Sequence, residues 1–142
     1  MIVVDTTILV YAVGSTHPLK DPSVRFFAAV AAGNVDATTT PEVIQEFAHV
    51  RARRFSRSDA VAVARDFTHL LSPLLTSDEL ALDRGLDVFE RYAELGSFDA
   101  LLAATAIAAD ATALLSADSA FGSLSELPHL MPGGAAFERL LS

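Results

Sequence analysis

The sequence predicts an α/β fold: a three-layer α/β/α sandwich around a central, mainly parallel sheet of four or five strands. Two observations lead there. Short runs rich in apolar or β-branched residues (Ile2–Val4, Val35–Thr39, Ala113–Ser116) alternate with longer segments of helical character. Strands that are buried on both faces read as such runs, and helices between them imply a parallel sheet. The chain has 142 residues, half of them apolar, with no low-complexity break and no repeat. That suits a single domain over 1–142 with one core.

Taken in order, Ile2–Val4 is a strand ending at Asp5, and a helix follows at once from Thr7 to Val13. Pro22 to Ala32 reads as a helix with Asp21 as N-cap, Pro at the first position and Gly33-Asn34 as its stop. Val35–Thr39 is the second strand. Thr40-Pro41 opens a helix to about Arg54, the threonine capping and the proline at N1. Its buried stripe is Val43, Ile44, Phe47 and Val50, which places Glu46 on the stripe's edge and turns Glu42 further out to solvent. Ser58 caps a helix over Asp59–Leu71. Ser77-Asp78-Glu79 starts an amphipathic one, running to about Leu95 and stopped by Gly96. Ser97 caps a helix from Phe98 to Ala109 that is apolar nearly all round. Ala113–Ser116 is the third strand, ending just before Asp118. Leu130-Met131 is a last short strand, with a terminal helix after Pro132-Gly133-Gly134.

Composition narrows the chemistry. Net charge is −8, with nine arginines and a single lysine, Lys20. This excludes a polybasic nucleic-acid binder, so contact with nucleic acid must run through a local patch or bound cations. The absence of cysteine removes disulfides, thiolate metal sites and cysteine nucleophiles. The apolar N-terminus has no basic region and carries Asp5, which argues against a signal peptide. The longest apolar stretch, Ala100 to Ala109, is too short to span a membrane. A soluble, cytoplasmic domain is expected.

In open parallel sheets the active crevice lies beyond the carboxyl ends of the strands. Two strands deliver acids there, Asp5 and Asp118. Glu46 and Asp99 stand in early turns of neighbouring helices. Each has an ordinary reading: a cap, a turn residue, a dipole partner, a solvated charge. Jointly they would repel one another at one sheet edge unless a hard divalent cation neutralised them.

Val3-Val4-Asp5-Thr6-Thr7, Thr40 with Glu46-Phe47, Phe98-Asp99-Ala100-Leu101-Leu102-Ala103-Ala104, and Ser116-Ala117-Asp118 with Phe121 resemble the PIN-domain family. Their order and spacing look most like the VapC-type ribonuclease toxins of type II toxin–antitoxin pairs. The resemblance implies a Mg²⁺- or Mn²⁺-dependent endoribonuclease with Asp5, Glu46, Asp99 and Asp118 around the metal. Glu42 is the rival to Glu46. Ser116 and Thr6 match the family's supporting hydroxyl positions. Thr7 stands where Asn or Ser is usual, which puts its polar contact in question. Metal charge would polarise the scissile phosphate and lower the pKa of an attacking water. A cognate VapB-type antitoxin, a homodimer and a larger toxin–antitoxin assembly are implied as partners. Val61, Phe67, Leu82 and Phe89 are either those contacts or ordinary core.

Arg51, Arg53, Arg54 and Arg57 are candidates for RNA phosphate contact, balanced against a solvated helix end whose cations suit the dipole. His49, three residues from Glu46, could face the crevice, while His17, His69 and His129 read as surface or loop residues. Phosphatases of the haloacid-dehalogenase type need a second Asp where Thr7 stands. Receiver domains need a late Lys that is absent. No phosphate-binding or nucleophile-elbow motif occurs. The remaining alternative is a PIN-like module that binds RNA or a partner without cutting.

Overall fold

The computed structural model describes residues 1–142. Four strands, β1 (Ile2–Val4), β2 (Ala37–Thr38), β3 (Ala113–Leu115) and β4 (His129–Leu130), form one sheet in the order β2-β1-β3-β4. Every pairing is parallel, with Ile2 opposite both Ala37 and Ala113 and Leu114 opposite His129. Seven helices accompany it: α1 (Thr6–Val13), α2 (Lys20–Ala31), α3 (Pro41–Arg54), α4 (Arg57–Leu71), α5 (Glu79–Arg91), α6 (Ser97–Ala108) and α7 (Ala135–Leu141). The α/β/α layering expected from the sequence is thus found, with four strands.

The chain leaves β1 for β2 on one side and later enters β3 on the other. The carboxyl ends of β1 and β3 are therefore the point where strand order switches, the place such sheets reserve for a site. Val3, Val4, Leu114 and Leu115 are essentially sealed, and Phe26, Phe47, Phe121 and Phe137 fill the space between sheet and helices. Phe47 meets Phe67 edge-on at 5.2 Å.

Several helix ends differ from the sequence reading. Helix α2 starts at Lys20, with Leu19 as N-cap, so Pro22 sits in the first turn and not at its first position. Proline costs nothing there because first-turn N–H groups have no helical partner. Asp21 pairs with Arg25 one turn on instead of capping. Ser56, not Ser58, caps α4 by accepting from the Asp59 amide. Helix α5 is capped by Asp78 and ends at Arg91, four residues short of Leu95. Gly96, read as its stop, is instead the N-cap of α6. Gly85 lets α5 approach α6 closely: a Cβ there would lie 3.1 Å from the Leu101 Cα. A 3-10 turn at Ser119–Ser123, capped by the Asp118 carboxylate, has no counterpart in the sequence reading. The last strand is His129–Leu130, one residue earlier than expected.

Candidate metal centre

Strand β1 ends at Asp5, which is only 5% exposed. It occupies the N-cap position of α1, yet its side chain makes no capping bond. The carboxylate is taken up from the side: Ser116 Oγ donates to Oδ2 at 2.7 Å and Thr7 Oγ1 donates to the same oxygen at 3.0 Å. Both bonds leave Oδ1 uncommitted. Both donors are neutral hydroxyls, so no basic side chain faces this buried carboxylate.

Ser116 is wholly buried where β3 ends. Besides holding Asp5 it accepts from the Asp118 amide at 3.0 Å, so one hydroxyl fixes two acids. Thr7 accepts from the Ala117 amide at 3.0 Å and stands 3.4 Å from Ser116 Oγ. The unusual residue at this position therefore makes the polar contacts with its hydroxyl. Thr6 Oγ1 donates to Glu46 Oε2 at 3.0 Å, tying α1 to α3 beside Asp5. Thr39, which sequence reasoning passed over, donates to the Val4 carbonyl at 2.6 Å and joins β1 to the loop that starts α3.

Asp99 enters from the first turn of α6. Burial, then the negative charges of Asp5, Asp118 and Glu46, push its carboxyl up to about 6. The three acids that act on it electrostatically are the other three expected from the sequence. All four line one cavity of about 480 Å³ with Thr6 and Thr7. A second cavity of about 410 Å³, bounded by Phe98, Leu101 and Val43, shares Asp5, Glu46 and Asp99 as its wall. No three His, Asp or Glu side chains sit together at the spacing of one ion's ligands. The four carboxylates ring a space instead of meeting at a point. Their chemistry suits a hard divalent cation: oxygen donors only, one acid buried without a basic partner, another whose carboxyl is raised by burial and then by three neighbouring acids.

Other expectations land differently. Glu42 is half-buried while Glu46 is exposed, the reverse of the outward turn read for Glu42. Glu42 lines only the second cavity, and Oε1 of its carboxylate is buried without a hydrogen-bond partner. Of the arginines, Arg54 lines the acid cavity. Arg51 is committed elsewhere: it binds both Asp59 carboxylate oxygens, donates to the Val13 carbonyl at 2.8 Å and lies over the Phe55 ring. Arg53 and Arg57 border a separate outer hollow with Val61. His129, read as a surface residue, is half-buried in β4, its Nε2 2.8 Å from the Ser116 carbonyl oxygen. His17 is exposed, stacked on Tyr11 at the rim of the acid cavity. His49 faces the second cavity. Phe67 is core, whereas Val61, Leu82 and Phe89 are exposed.

A PIN domain model matches residues 2–127. Ribonuclease VapC7 of Mycobacterium tuberculosis is 51% identical over 145 aligned residues, covering 99% of this chain and 98% of that protein. Ribonuclease VapC13 of Mycobacterium tuberculosis and VapC ribonuclease Mb1869c of Mycobacterium bovis are each 31% identical, covering 92% of this chain and 99% of those proteins. The crystal structure of VapBC2 from Rickettsia felis, bound to a DNA fragment from its promoter, superposes with a TM-score of 0.70 at 18% identity. It covers 92% of this chain and 98% of that one.

Proposed function

The chain belongs to the PIN-domain family, and from that premise we propose that it is an endoribonuclease toxin of the VapC kind, dependent on a divalent metal. Mg²⁺ or Mn²⁺ is the ion its oxygen donors favour. The observation that carries this reading is the ring of Asp5, Glu46, Asp99 and Asp118 where strand order switches, with three of them bearing on the charge of the fourth.

Asp5, Asp99, Asp118 and Glu46 would hold the metal, which when bound polarises the scissile phosphate and acidifies an attacking water. The protein's own part is positional. Ser116 and Thr7 fix Asp5 and the turn bearing Asp118 before any ligand enters, which removes the reorganisation a loose site would need. Thr6 does the same for Glu46. Asp99, whose carboxyl burial and then three neighbouring acids push up to about 6 in the metal-free fold, is an acid whose charge a bound cation would relieve. Arg54, on the same cavity, supplies a cation for an RNA phosphate.

A VapB-type antitoxin is the protein partner, and α5 offers it or a second copy an apolar stripe: Leu82, Leu86 and Phe89 recur at i, i+4 and i+7 and are all exposed. No helix is long and apolar enough to cross a membrane, in keeping with a cytoplasmic enzyme meeting RNA there.

The test is Asp5→Asn and Asp99→Asn. Each should abolish metal-dependent RNA cleavage with an unchanged far-UV dichroism spectrum. Expression of the wild-type chain alone should slow growth, and co-expression of the adjacent antitoxin should restore it. Full cleavage by either variant would overturn the reading.

A further inference from the structure

We propose that the cavity bounded by Phe98 and Glu42 is a nucleobase subsite for guanine beside the scissile phosphate, with Phe98 as its stacking platform and Glu42 reading its edge. The inference rests on the ribonuclease reading.

Phe98 is 80% exposed, more than any other large apolar side chain of the molecule. It precedes Asp99 in the first turn of α6, and it joins none of the ring contacts that organise six of the other phenylalanines. An aromatic face left to water at the lip of a catalytic cleft is what base stacking uses. The cavity beneath it has a volume of about 410 Å³, within the range of small-ligand sites, and is walled by Val43, Leu101 and Leu102. It shares Asp5, Glu46 and Asp99 with the acid cavity. A nucleotide whose phosphate lies at those acids therefore has its base at this opening.

Glu42 supplies the selectivity. Its Oε1 is the one buried side-chain polar atom of the chain without a hydrogen-bond partner. No donor within the fold reaches it, and a turn of the carboxylate into the cavity that Glu42 lines would offer both oxygens to a donor from outside. It is not a fifth member of the acid ring, because the charges bearing on Asp99 are those of Asp5, Asp118 and Glu46. An ionised carboxylate only accepts. On its pairing edge guanine presents two adjacent donors, N1–H and the 2-amino group. Adenine and cytosine set an acceptor beside their amine, and uracil flanks its single N–H with carbonyls. Only guanine meets both carboxylate oxygens without a repulsive contact.

The experiment uses the full chain and a set of short single-stranded RNAs differing only in the base next to the cleaved bond: G, A, C, U or an abasic ribose. Cleavage is measured with Mn²⁺, and guanosine or adenosine is titrated into metal-free, isotope-labelled protein by NMR. Wild type should favour the G substrate at least tenfold in kcat/KM. Phe98→Ala should lose roughly tenfold to hundredfold in kcat/KM, mostly through KM, while Phe98→Tyr keeps it. Glu42→Gln should still cleave but lose the preference for G. Guanosine, not adenosine, should shift the amide signals of Phe98 and Leu101. The inference falls if both variants match wild type in rate and base preference. It falls equally if they differ only in inhibition by the antitoxin, which would give the surface to a protein partner. Absence of any metal-dependent cleavage by wild type is a different result: it removes the ribonuclease reading itself.

Discussion

Asp99→Asn should make the metal-free protein more stable while destroying its activity. The side chain's ordinary value is 3.8, and in the fold burial and three neighbouring acids raise it to about 6. Below pH 3.8 the carboxyl is neutral in both folded and unfolded states and costs nothing. As pH rises through 6, the folded protein must ionise it against Asp5, Asp118 and Glu46, and the stability present at low pH is lost. The gap of about two pH units corresponds to about 3 kcal/mol at most, at ~1.36 kcal/mol per unit. Asp99 is only half-buried, so solvent screening reduces this to roughly 1–2 kcal/mol. Asn keeps the shape and removes the charge. In a chelator at pH 8, chemical denaturation should show Asp99→Asn more stable by that amount, and the two proteins should converge towards pH 4. Added Mn²⁺ should reverse the order, since an ion at a hundred times its Kd stabilises a binding-competent site by about 2.7 kcal/mol. An Asp99→Asn protein no more stable than wild type at pH 8 without metal would refute the argument that these acids repel one another.

Three further outcomes are expected. Ser116→Ala removes the hydroxyl that holds both Asp5 and the Asp118 amide, so Mn²⁺ affinity should drop by roughly ten- to a hundredfold, read by calorimetry, with the fold retained. Arg51→Leu should lower the melting temperature, because it breaks the tie to Asp59 and Val13, yet leave RNA affinity nearly unchanged. Arg54→Glu should do the opposite, weakening RNA binding most at low salt. Equal effects of the two arginine changes on binding would show that the cluster acts as one patch.

The strand ends and their acids were readable from sequence because both signals are local. A short apolar run closed by a carboxylate states its own position and direction, as Ile2–Val4 and Asp5 do. The α3 start was equally plain, since Thr40 and Pro41 each favour one place in a helix. Serines 56 and 58 could both cap. The structure chooses Ser56, whose hydroxyl accepts from the Asp59 amide, while the Asp59 carboxylate goes to Arg51, a partner on the preceding helix. The end of α5 was hidden because Tyr92 to Leu95 continue a helical composition, while the chain turns there to bring Leu95 into the core. Glu42 was misplaced by judging a helix face from one stripe alone. It lines a cavity together with Phe98, Leu101 and Leu102, neighbours that no spacing within α3 reveals. The roles of Arg51 and His129 likewise depend on partners distant in sequence, Val13 and Ser116.

Asp5 is held by serine and threonine, whose hydroxyls keep their protons across the whole range in which enzymes work. The hydroxyls that set this geometry, on α1 and just past β3, do not titrate, while the acid of this centre whose titration is shifted stands on α6. Shape and charge are thus governed by separate parts of the chain. Acidifying the metal-free protein through about 6 would protonate Asp99 without disarranging the hydroxyl scaffold, and a return to neutral pH would find the same scaffold ready to bind an ion.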